Sequence, residues 1–126
     1  MKHFPILGLV LVFCFTSIAF AGDIKVINAK SGFPEGPLWH NDKLYYVEYG
    51  SQTVMTWDGN QNQEFWKKEG CGPSAIVALS AGNFLVTCYD SSSIARVYAD
   101  GKTIAEYKQD REGQRFQGPN DFVADK

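Results

Sequence analysis

From residue 23 onward, apolar and polar positions alternate in short runs broken by turn residues, and no stretch shows helical spacing. Lys43 to Tyr49 (KLYYVEY) and Thr53 to Trp57 (TVMTW) read as strands across Gly50-Ser51-Gln52, and Asp58-Gly59-Asn60 turns the chain into Gln63 to Lys67. The order then recurs. Ser74 to Leu79 (SAIVAL) leads through Ser80 to Asn83 into Phe84 to Tyr89 (FLVTCY), then Ser93 to Tyr98. The hairpin dipeptide Asp100-Gly101 follows, and then Thr103 to Tyr107.

Overlaying the two sections sets Glu35-Gly36-Pro37-Leu38-Trp39 on Ser74-Ala75-Ile76-Val77-Ala78, and Leu44 to Val47 on Phe84 to Thr87. A third copy begins at Asn120-Asp121-Phe122. The copies start at 35, 74 and 120, spacings of 39 and 46 residues. Four short strands per unit of about 40 residues is the signature of a propeller blade. The expectation is therefore an all-β chain forming part of a six-bladed β-propeller: two blades plus the first strand of a third. A barrel or sandwich is the competing layout. Because a propeller needs about four to eight blades to close, the chain reads as an N-terminal portion. Asp23 to Asn28 (DIKVIN) also alternates and reads as an early edge strand.

Residues 1–21 stand apart. Met1-Lys2-His3, the apolar run Phe4 to Ile18 and the small-x-small Ala19-Phe20-Ala21 have the layout of a signal peptide. The expected mature chain, 22–126, is then exported, periplasmic or secreted, and has no membrane association once the signal is removed. A net charge of −2 with 21% charged residues excludes a nucleic-acid partner read from basic excess. Cys71 and Cys88 remain after the signal. If Leu79 opposes Phe84, Cys88 faces Ala75 and Cys71 lies four residues on, about 13 Å away at the usual rise per residue. That spacing argues against a disulfide.

Candidate chemistry sits where each unit's innermost strand begins, at Glu35, Ser74 and Asn120. A carboxylate, a hydroxyl and an amide offer oxygens to one axial point, as a hard cation requires. Pro34, Pro37, Pro73 and Pro119 stiffen the corners. His40 reads as exposed and Asp90 as a loop residue. Trp39, Tyr46, Trp57 and Trp66 read as inter-blade packing, and Asp121 as a brace. Residues 109–118 form a polar loop long enough to overhang the channel.

"GFPEGPLWHNDKLYYVE", "RFQGPNDFVADK" and the intervening "CGPSAIVALSAGNFLVTCYDSSSIARVYADG" resemble the N-terminal motifs of the SMP-30/gluconolactonase family of six-bladed propellers. The resemblance implies a divalent metal, with calcium first in line, held by Glu35 and Asn120, and a substrate contacted by Arg115 and Asn120. It also implies hydrolysis of a small-molecule lactone or related ester, with the catalytic base and remaining ligands beyond Lys126. Glu35 would hold the cation rather than move a proton, since a bound cation keeps a carboxylate ionised. The alternative is a non-catalytic exported propeller that binds a small ligand or protein.

Overall fold

The computed structural model describes residues 22–123, so the segment 1–21, expected to be a signal peptide, lies outside the described residues. Eight strands form two four-stranded antiparallel sheets in simple meander order. The first sheet contains β1 (Pro34–His40), β2 (Lys43–Glu48), β3 (Thr53–Trp57) and β4 (Asn62–Lys67). The second contains β5 (Pro73–Ala78), β6 (Phe84–Cys88), β7 (Ser93–Val97) and β8 (Thr103–Tyr107). The strands expected in the two repeat units are present within a residue of their expected ends, whereas those expected at 23–28 and from Asn120 are not formed among the described residues. The repeat keeps its register between the second and third strands of each unit: Val47 opposes Val54, and Thr87, forty positions on, opposes Ile94.

The sheets pack face to face, with β5 lying against β1, β2 and β3. Period-two alternation explains which residues meet. Tyr45, Val47 and Val54 point from the first sheet toward Phe84, Val86, Cys88, Ala95 and Val97 of the second, and all are buried. Four of these valines (47, 54, 86 and 97) are fully buried; each contributes about 1.5 to 3 kcal/mol from removal of apolar surface. Tyr45, Phe65 and Phe84 form an aromatic knot with centroids 4.9 to 5.3 Å apart. Trp66 is buried as predicted and donates from Nε1 to Thr103 Oγ1 across the sheets at 3.0 Å.

Several expectations change. His40 is half-buried, not exposed, with its ring edge-on to Phe84 at 5.5 Å. Trp39, one position earlier on β1, points the other way and is 62% exposed. Trp57 lies under Lys25 Nζ, and Tyr46 lies beneath Asn28, so both meet the N-terminal segment and not the second sheet. Residues 23–28 form no strand: Ile24 and Val26 are exposed, and the segment is anchored through Asn28 and Ile27 to Glu48, Tyr46 and Asn62. Alternation alone makes no strand where no neighbour offers a ladder.

The cysteines give the clearest correction. Cys71 and Cys88 are disulfide-bonded, with Cα atoms 4.5 Å apart. Ala78, not Leu79, opposes Phe84, and a β-bulge between Pro73 and Ala75 absorbs one further residue. Cys88 therefore opposes Pro73, and the left-handed turn at Gly72 brings Cys71 back beside it. Asp90 N donates to Cys71 O, closing that corner.

Candidate functional site

Three copies of one backbone device build the site. Phe33-Pro34-Glu35, Gly72-Pro73-Ser74 and Gly118-Pro119-Asn120 each begin with a left-handed residue, at φ 55, 57 and 52°. Proline then fixes the following φ and removes a donor. The third residue is the one predicted to carry chemistry. Bulges interrupt the ladder immediately at these corners, between Glu35 and Leu38 and between Pro73 and Ala75. Such bulges re-aim side chains at the ends of strands.

The corners converge. Glu35, Ser74 and Asn120 line one concavity of about 240 Å³ together with Tyr49 and Tyr89. Glu35 and Asn120 are exposed at its wall, whereas Ser74 is buried. Ser74 acts as a brace: its hydroxyl donates to Pro119 O at 3.1 Å and pairs with Thr87 Oγ1 at 2.9 Å. Thr87 Oγ1 also lies 3.2 Å from Asn120 O. The second unit thus spends its predicted donor on holding the third corner in place. Asn120 to Val123 form no strand among the described residues.

The two tyrosines were not singled out by sequence reasoning, although both follow the second strand of their unit, in VEYG and TCYD. Each ring covers the next unit's corner glycine. A β-carbon at Gly72 would lie 2.9 Å from Tyr49 Cε2, and one at Gly118 would lie 2.9 Å from Tyr89 Cε2. Tyr49 OH donates to Asp90 Oδ1 at 2.6 Å, so Asp90 belongs to this junction and not to a free loop. That hydrogen bond, followed by desolvation and the neighbouring carboxylates, holds the Tyr49 phenol above its ordinary pKa. Gln52 completes the junction by accepting from Gly72 N at 2.8 Å.

Arg115 does not line the concavity. It bridges to Gln109 in a compact turn where Asp110 Oδ1 accepts from Glu112 N and Gln114 N. The predicted overhanging loop is therefore a folded extension of β8. Asp121 accepts from Phe122 N at 2.8 Å, a local brace. A second concavity of about 290 Å³ also touches Glu35 and is walled by Ile27, Pro34, Pro37 and Leu44. Among the described residues no cluster of three or more His, Cys, Asp or Glu could hold a metal ion. The donors available at the mouth are one carboxylate and one amide. These are hard oxygen donors of the kind a divalent cation takes, and they supply part of its shell.

The description SMP-30/Gluconolactonase/LRE-like region matches residues 33–126. The chain belongs to this family. An SMP-30/gluconolactonase-type chain accounts for the repeated corners and the meander sheets alike. A solved structure titled "Streptogramin B lyase structure" is similar at 17% identity and a TM-score of 0.54, covering 61% of this chain and 26% of that one. That likeness shows a fold of the β-propeller kind, and the chain spans about a quarter of the solved structure's length. No curated protein matches the chain.

Proposed function

We propose that this SMP-30/gluconolactonase-family chain contributes the N-terminal half of a metal site to an exported hydrolase of lactones or related esters. The observation that carries the reading is the convergence of Glu35 and Asn120, 85 residues apart in sequence, on one concavity. Glu35 supplies a formal negative charge at the mouth, and Asn120 supplies a neutral amide oxygen beside it. The proline corners hold both with little backbone freedom, so few conformations are lost when a ligand binds. Ser74 and Thr87 keep the Asn120 corner in place through its backbone carbonyls.

A divalent ion held by these groups, calcium by our reading, would supply charge stabilisation for an oxyanion developing on a carbonyl. Glu35 binds and orients; its role is to hold the ion. Asn120 can additionally donate from its amide nitrogen to a ligand oxygen. Arg115 is proposed as a substrate contact that would reach the mouth from the β8 extension.

Calorimetric titration of calcium chloride into the full-length protein and its Glu35→Gln variant tests the site. The variant keeps shape and hydrogen-bonding capacity while removing the charge. The expected outcome is a loss of affinity of at least about tenfold, because each tenfold is only about 1.4 kcal/mol and hydrogen bonds and contacts to a charged group are worth about 1.5 to 3. Equal affinity in the two proteins refutes the assignment.

A further inference from the structure

We propose that Tyr89 is a ligand-contacting residue of the mouth, donating its phenol to a carbonyl or ring oxygen of a lactone-type ligand. This rests on reading the concavity as a ligand site. The inference comes from a difference between two repeat-equivalent tyrosines. Tyr49 and Tyr89 both line the concavity and both seat a ring on the next unit's corner glycine. Tyr49 has spent its hydroxyl, which donates to Asp90 Oδ1. Tyr89 has no such partner: forty residues on from Tyr49, it is 47% exposed, and its hydroxyl makes no hydrogen bond among the described residues.

Tyr89 is nevertheless held firmly. Its N–H donates to Gly72 O at 2.9 Å and its carbonyl accepts from Ser92 N at 3.2 Å. The preceding residue is Cys88, fixed in the disulfide with Cys71. The ring rests directly on Gly118, where a β-carbon would lie 2.9 Å from Tyr89 Cε2. A rigid aromatic with a single unspent donor, beside Glu35 and Asn120, suits a flat cyclic ester: the ring face meets the ligand's apolar side while the phenol reaches its oxygen. A phenol O–H supplies a hydrogen bond without competing with the Glu35 carboxylate for a cation.

The probe is δ-valerolactam, a cyclic amide that keeps the ring and carbonyl but resists hydrolysis. It is titrated into the chain carrying ring-¹³C tyrosine, with calcium chloride present, and the Tyr89 resonance is identified by its absence in Tyr89→Phe. The expected result is a saturable shift at Tyr89 and none at Tyr49, with lactam affinity about fivefold to tenfold weaker in Tyr89→Phe. Phenylalanine keeps the ring against Gly118, so the fold is preserved, and calcium affinity is expected to stay within about twofold. An unmoved Tyr89 resonance, or equal lactam affinity in Tyr89→Phe, overturns the proposal. The two readings separate cleanly. Calcium affinity unaffected by Glu35→Gln, with a Tyr89 response intact, refutes the metal assignment alone. Calcium binding lost in Glu35→Gln, with Tyr89 silent to lactam, refutes the tyrosine assignment alone.

Discussion

Gly36 follows the site carboxylate, and its backbone shows why that position tolerates no side chain. It adopts φ +51°, and a β-carbon there would lie 2.8 Å from Ala75 Cα and 3.1 Å from Ser74 O. Both obstacles are backbone atoms of β5, which cannot rotate away. Gly36→Ala must therefore accept a left-handed alanine and push β1 off β5 beside Glu35. The expected cost is about 2 to 5 kcal/mol, the sum of the left-handed penalty and overpacking. Gly59→Ala is the control: φ is +99° but nothing lies within 4 Å, so only the conformational penalty of about 1 to 2 kcal/mol applies. Urea unfolding of both variants checks the difference; equal midpoints would show that the β1–β5 approach is not tight. The corner is legible in hindsight as a left-handed residue, proline and a polar residue repeated three times. Only Gly72 and Gly118 advertise the positive φ, because Phe33 occupies the same region with a bulky side chain, an uncommon choice.

At the scale of elements, what was legible followed from period and spacing, and what was not followed from local departures from the ladder. The repeat, with steps of 39 and 46 residues, located the strands and the two corners that carry Glu35 and Asn120. It could not reveal that Ala78 opposes Phe84 or that Ser74 sits in a bulge, and these two one-residue shifts together misplaced Cys88 and argued away a bond that is present. The disulfide spans 17 residues and ties the turn before β5 to the end of β6. Closing a loop of that length stabilises by about 3 kcal/mol through the unfolded chain. Cys71→Ala/Cys88→Ala is expected to lower stability by about that amount, with a further cost for the space left, since both residues are fully buried. The check is the urea midpoint of the double variant against the oxidised wild type. Burial also implies that mild reductant leaves the native bond intact, so the variant, and not reduction, is the decisive comparison. Thr87 marks another limit: as a β-branched residue in a strand it reads as ordinary packing, and only coordinates reveal that it steadies Asn120 from 33 residues away.

At the scale of the molecule, three tyrosines sit on the junctions that hold its parts together. Tyr45 lies between the sheets, Tyr46 beneath the N-terminal segment, and Tyr49 across the Asp90 contact between units. Each phenol is held above the ordinary value of about 10: Tyr45 and Tyr46 chiefly by burial, Tyr49 chiefly by its hydrogen bond to Asp90. A group whose pKa is higher folded than unfolded favours the folded state in its protonated form. Its contribution is therefore complete below about pH 10 and disappears as pH rises through the folded values. Ionisation also places phenolate beside Asp90 at one junction and beside Glu48 at another, where like charges repel. The chain is expected to keep a constant urea midpoint through neutral pH and to lose stability on the alkaline side of pH 10. Tyr49→Phe should be less stable at neutral pH and flatter in the alkaline limb, because it removes one of the three linked protons. Urea unfolding across that limb, paired with phenolate absorbance, checks both statements. A stability that holds or rises through the alkaline window would mean that these junctions open before their phenols ionise, and that the sheets are held by their apolar faces alone.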